Sequence, residues 1–270
     1  MGLALGTEVY NVDVATLQGR GIAYTDDELD AALKDPIAGI LHDEIGKSEL
    51  DVMLAGVVTT EFQQENLKEA LQLSPPMRSW RIGEGLAEAF LTEHRRCLFP
   101  WPSSRDLRNL QASPAGADLV GFEETDNPVN RHRFAFGEVK TSGQEQWPPN
   151  LMYGRSGMTR QLEGLRDAKK TKDSLLLYLG HRAQESSWAE LYQSAATRYL
   201  SNSMDVSLFG LLIRDVEPKA EDLKGRVETL ANDCPAATSI ELRALYLPLK
   251  AIENLPERLA KAMEESSAGN

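Results

Sequence analysis

Cysteine is scarce: Cys97 and Cys234 are the only two, far apart and without a CxxC spacing or a histidine at metal distance. That excludes a disulfide framework and a thiolate zinc site. The pair reads as buried thiols of a cytoplasmic protein. Long apolar runs are missing too, and none approaches the ~20 residues that span a bilayer. The opening residues, MGLALGTEVYNVDV, lack the basic and apolar regions of a secretory signal. Gly6 stands where a myristoylation signal needs Ser or Thr. Basic charge also falls short, with 29 Lys and Arg against 41 Asp and Glu, a net charge of −12. A free-standing protein that coats nucleic acid is thereby excluded. An enzyme with a local basic channel is not, nor is a chain whose partner supplies the DNA affinity. No internal repeat or heptad pattern is present, and low complexity is confined to a short polar tail at 264–270.

What is present is an ordinary globular balance, 41% hydrophobic and 26% charged, in a chain long enough for several helices around a sheet. Asp26-Asp27-Glu28-Leu29 opens an amphipathic run to about Leu41, which Pro36 divides into two short pieces. Residues 52–58 read as a strand and 61–73 as a helix. Ser74-Pro75-Pro76 breaks the chain there, which sets 1–75 apart as a mixed α/β region and 76–270 as the main domain. Beyond the break, 82–91 is helical, 117–122 and 133–139 form a hairpin, and 158–169 is a helix. A buried strand at 175–179, a helix at 188–200, strands at 206–213 and 240–247, and a closing helix at 255–263 complete the pattern. Strands alternating with helices after a hairpin predict an α/β fold with a mixed central sheet.

Within the hairpin, Glu138-Val139-Lys140 ends an apolar strand bearing Phe134 and Phe136, a poor place for charge without purpose. Side chains two apart on a strand share a face, so Glu138 and Lys140 project together. Val139 points into the core, and its carbonyl is free to complete a metal site. Asp118 opens the neighbouring strand, close enough across a hairpin for both carboxylates to reach one ion. Mg²⁺ or Mn²⁺ requires hard oxygen ligands of this kind. A cation beside them can stabilise charge that develops on a phosphate. ExK triplets are also common as solvated surface pairs, so the context carries the weight. A preceding helix adds Glu84 and Glu88, four apart on one face. The stretch 153–172 adds Arg155, Arg160, Arg166, Lys169, Lys170 and Lys172 against Glu163 and Asp167, an expected phosphate-contact surface. Trp101-Pro102 and Trp147-Pro148-Pro149 read as rigid loop corners, and His132 as part of an exposed hairpin tip.

The blocks RIGEGLAEAFL, GADLVGF and GEVKTS, spanning about 81–161 with the polar helix that follows, resemble the PD-(D/E)xK nucleases, the restriction-endonuclease-like superfamily. More narrowly they are similar to the HamA-type nuclease subunit of two-component Hachiman antiphage defence systems. The first carboxylate position is held by Asp118 without the Pro of the superfamily's name. The resemblance implies a restriction-endonuclease-like core with an N-terminal extension. It also implies a Mg²⁺-dependent deoxyribonuclease with Asp118 and Glu138 as metal-binding carboxylates and Lys140 as catalytic lysine. The superfamily's helical Glu, a further catalytic and metal-binding carboxylate, falls on Glu84 or Glu88, with the glycines flanking Glu84 favouring it. Gln161 matches a polar residue near the scissile phosphate. The implied partners are DNA and a superfamily 2 helicase that holds the nuclease in check, with 1–75 as a docking region. The alternative is a catalytically silent subunit that binds DNA or scaffolds the helicase.

Overall fold

A strand covered on both faces must be apolar at every position rather than every second one. Val206–Arg214 comes close to that condition: all nine residues are buried, and Ser207 and Arg214 are its polar ones. In the structure, a computed structural model that describes residues 2–72, 76–102, 105 and 116–268, this segment (β6) lies at the middle of a seven-stranded sheet. Its neighbours β5 (His132–Ser142) and β7 (Ser239–Tyr246) both run parallel to it. Beyond β7 lies parallel β2 (Gln18–Ala23), and antiparallel β1 (Thr7–Asn11) forms that edge. On the other side β4 (Leu119–Glu124) is antiparallel to β5, and β3 (Cys97–Leu98) is antiparallel to β4. The order is β1-β2-β7-β6-β5-β4-β3, a mixed sheet in an α/β architecture.

Period-two alternation sorts the side chains of the inner strands onto two covered faces. Phe134 and Phe136 of β5, with Leu208 and Leu212 of β6, join one core. That core is closed by α6 (Met158–Asp167), α7 (Lys169–Ala183), α8 (Ala189–Ser201) and α9 (Lys224–Ala231). Ala135, Val139, Phe209, Leu211 and Ile213 join the other. Its cover is α1 (Asp26–Ala32), α2 (Ala38–His42), α5 (Ser79–Arg95) and α10 (Ala251–Ala268). Close approach of α5 to β5 requires Gly83, since a Cβ there would lie 2.2 Å from Thr141 Oγ1.

Three expectations change. The apolar run 175–179 is the interior of α7, where Leu179 is buried but Leu177 is 58% exposed. A run of five apolar residues does not distinguish strand from helix, and here the 3.6-residue period holds. Residues 52–54 end a helix, α3 (Glu44–Leu54), and 55–57 form a turn. The N-terminal region is also no separate layer, because β1 and β2 extend the main sheet. Ile22, Leu29, Leu33 and Ile37 lie in the same core as α5 and α10. What stands apart is α3 with α4 (Glu61–Gln72), neither of which buries a residue. Of the break at Ser74-Pro75-Pro76, the first two residues lie outside the described ones. Pro36 does divide the early helical run, with Asp35 extended (φ −166°, ψ 121°) between α1 and α2. No helix among the described residues is long and apolar enough to cross a membrane.

Candidate active site

The antiparallel register of β4 on β5 pairs Phe122 with Phe134 and Val120 with Phe136. The next rung on that face sets Asp118 opposite Glu138. β4 stops at Leu119 while β5 runs on to Ser142, so at this rung β5 has lost a backbone neighbour on one side. The Asp118 carboxylate takes its place: Oδ2 accepts a 2.8 Å hydrogen bond from the Val139 N–H. The N–H and C=O of one strand residue point to the same side. The Val139 carbonyl is therefore directed past the end of β4, and Val139 lines a cavity of about 310 Å³ there. Trp80, Glu84, Asp118, Lys140 and Thr141 share its walls.

Two positions along the same face, the Lys140 ammonium pairs with Glu138. Glu138 is 1% exposed, and among the described residues Lys140 is the cation that meets the two carboxyl groups. Burial, and then the charge of Asp118, push the Glu138 carboxyl up to about 7. Asp118 is also raised, by burial, against the Val139 hydrogen bond and Lys140 that pull it down. Glu84, on the facing side of α5, is pushed up to about 8 by burial and then by Asp118. These are mutually repelling groups in a partly desolvated site.

Glu84 and Glu88 both line a small cavity with Asp118 but differ in their nearest charges. Glu84 adjoins Asp118, whereas Glu88 lies one turn further along α5, where its strongest charge neighbour is Asp43. Gln161 sits on α6, and its Oε1 is buried without a hydrogen-bond partner. It does not line the cavity that holds Asp118 and Lys140.

The basic stretch divides, and two of its members are corrected. Arg166 is buried and ties α6 to the residues around α9, donating to the Leu230 and Asn232 carbonyls (both 3.1 Å) and pairing with Asp167. Lys172 is fully buried, with Nζ donating to the Arg166 carbonyl at 2.6 Å. Neither can face a phosphate. Arg160 pairs with Glu163 and Lys169 with Asp173, both at the surface. Arg155 and Lys170 are exposed and carry no ion pair among the described residues. Trp101 lies against the guanidinium groups of Arg105 and Arg182, and Trp147 against Lys219, so both rings serve as loop corners.

Trp80, Thr141 and Leu151 also line the cavity and had no place in the sequence reading. Trp80 was findable, since it lies four residues before Glu84 and so on the same helical face. Leu151 comes from a single 3-10 turn, Asn150–Met152, too short to leave a periodic signal.

For a divalent cation the donors are Asp118, Glu138 and the Val139 carbonyl. Among the described residues no group of three or more His, Cys, Asp or Glu side chains converges at ligand spacing. Mg²⁺ is commonly held by one or two carboxylates with the remaining positions water, so two carboxylates and a carbonyl fit it. No family model and no curated protein matches the chain.

Proposed function

We propose that the chain is a metal-dependent DNA nuclease of the PD-(D/E)xK kind with a restriction-endonuclease-like core. We place it as the HamA-type effector subunit of a cytoplasmic antiphage defence complex with a superfamily 2 helicase. The observation that carries this reading is the Asp118–Glu138 rung with Lys140 beside it, at the open end of β4. As structure alone the arrangement is costly, because it sets carboxyl groups against each other where apolar side chains would be more stable.

Asp118 and Glu138 would hold Mg²⁺ or Mn²⁺ together with the Val139 carbonyl. The chemistry such an ion supplies is activation of water and Lewis-acid stabilisation of the phosphate. The Val139 N–H fixes the Asp118 carboxylate in its rung. Lys140 Nζ, drawn from Glu138 by a nearer anion, donates to a phosphate oxygen where charge grows. Glu84 retains a proton at neutral pH and so adds little negative charge beside Asp118.

Docking of the helicase is supported best on α3 and α4. They leave Ile45, Val52, Met53 and Phe62 between 66% and 75% exposed. One observation favours a catalytically silent subunit, namely that Lys140 is closed onto Glu138 rather than held open. The experiment is incubation of plasmid with the purified chain, alone and with the helicase, in Mg²⁺ and in excess EDTA. Cleavage that needs Mg²⁺ supports the nuclease, with Ca²⁺ giving little turnover because its looser coordination positions water poorly. Undiminished cleavage in EDTA sinks the metal assignment. DNA binding without cleavage in both preparations leaves the silent subunit.

A further inference from the structure

Arg81 is a buried cation whose one charge neighbour among the described residues, Glu84, is not bonded to it and is itself pushed up to about 8, so that it offers little negative charge at neutral pH. Its side chain is 6% exposed, and its Nε has no hydrogen-bond partner. No hydrogen bond or ion pair joins its guanidinium to any described residue. It stacks over the Trp80 ring at 5.1 Å, which fixes its plane without satisfying its donors. Burying a charge in this way is strongly unfavourable unless something pairs with it. Arg166 and Arg214, also buried in this protein, each donate to backbone carbonyls and to a carboxylate. At Arg81 no bonded acceptor is present among the described residues, and the difference points outward, to an acceptor from another molecule.

Its place identifies that acceptor. Arg81 lines a cavity of about 50 Å³ between α5, α2 and the start of β4, with Glu84, Glu88 and Asp118 on the walls. Glu84 and Asp118 are also walls of the larger cavity that contains Lys140. Trp80, under the guanidinium, lines that larger cavity as well. The two cavities therefore adjoin, with Glu84 and Asp118 as common walls. A guanidinium presents paired N–H donors matched to the oxygens of a phosphate.

We propose that Arg81 binds a backbone phosphate of the nucleic-acid strand, distinct from the phosphate held at Lys140, and so sets the strand's register across Asp118. This rests on the nuclease reading for its ligand. It differs in making a residue on α5, outside the Glu138-Val139-Lys140 strand, part of the nucleic-acid surface.

The test uses the full chain with Glu138→Gln, so that DNA is bound and not consumed, and a labelled 20-base-pair duplex as probe. Neutral methylphosphonates replace the phosphates one position at a time. With Arg81 present, one position beyond the scissile region should weaken binding roughly tenfold, as expected for a lost charge-assisted hydrogen bond. In the Arg81→Gln chain that position should lose its effect, and the slope of log K on log[salt] should fall by about one. Arg81→Lys should recover part of the binding. The melting temperature of Arg81→Gln should stay level or rise, because an unpaired buried charge has been removed. A structural arginine gives the opposite result, with a lower melting temperature and an unchanged methylphosphonate profile, and that outcome overturns the proposal. If DNA binds and the native chain shows no Mg²⁺-dependent cleavage, the nuclease reading fails while the methylphosphonate comparison still decides Arg81. If no duplex binds, both fail.

Discussion

Among the described residues Lys140 is the cation set against Asp118 and Glu138, so its removal and theirs should act differently. Lys140→Ala leaves Glu138 in a buried site without its partner. Glu138, already pushed up to about 7, answers by taking a proton, which limits the loss of stability. On the proposed chemistry the rate of plasmid nicking should fall roughly 10²–10³-fold while the circular-dichroism spectrum is retained. Glu138→Gln, nearly isosteric, should do the same. Nicking at the native rate by either variant sinks the assignment. Titration gives a second expectation, independent of catalysis. Glu84 and Glu88 hold protons up to about 8 in the folded chain, whereas an unfolded glutamate releases its proton near ~4.3. Between those values the folded state binds more protons than the unfolded one. Stability should therefore fall as pH rises from about 5 to 8. Thermal melts in EDTA at pH 6 and pH 8.5 measure this, and Glu88→Gln should flatten part of the slope. Equal melting temperatures at the two pH values would contradict the burial of these groups.

At the scale of elements, periodicity was informative where one answer satisfied both length and face. β6, β7 and α5 lie within a few residues of their expected spans because β6 is nearly all apolar, β7 alternates, and α5 repeats apolar residues at helical spacing. The hairpin was legible because turn residues separate two apolar strands, and its register then sets Asp118 opposite Glu138. β1 and β2 were illegible for a local reason. Gly19 and Gly21 remove side chains where Val227 and Tyr10 pack against the backbone, with a Cβ at Gly21 only 2.3 Å from Tyr10. Arg166 and Lys172 misled because composition counts charge without burial. Replacing Arg166 by Gln should leave two carbonyls unsatisfied and cost about 3 kcal/mol of stability, with DNA affinity unchanged in a fluorescence assay. Deletions should separate the N-terminal elements. Loss of 1–70 removes β1, β2, α1 and α2, hence part of the sheet and of one core, and the chain should not fold. A flexible linker in place of 44–72 removes only helices that bury nothing, and the melting temperature should stay within a few degrees. A collapse of stability in the second deletion would show that α3 and α4 belong to the core.

For the whole molecule, charge sets what the chain can do unaided. Its net charge of −12 repels a polyanion at long range, and short-range contacts must overcome that. The expected basic surface yields only Arg155 and Lys170 as exposed, unpaired cations, since Arg166 and Lys172 are buried and Arg160 and Lys169 have acidic neighbours. With Lys140 and Arg81 at the site, these described cations should contact about three or four phosphates. Each contributes about 0.9 to the slope of log K on log[salt], so the slope should be about −3, shallow beside a dedicated DNA-binding protein. Affinity for duplex at physiological salt should be no tighter than the micromolar range typical of non-specific binding. On the proposed docking, a helicase on α3 and α4 should change this without new contacts to DNA, because tethering would raise the local DNA concentration at Glu138 to about millimolar. Anisotropy titrations at 50 and 200 mM salt, with and without the helicase, measure both effects. The isolated chain should lose roughly tenfold to a hundredfold between those concentrations, and the complex should bind far more tightly at each. Val52→Asp with Phe62→Asp should abolish the gain from the helicase and leave the binding of the isolated chain unaltered. Nanomolar binding by the isolated chain at physiological salt would overturn the argument from charge. A helicase gain that survives the double substitution would move the docking face elsewhere on the acidic surface.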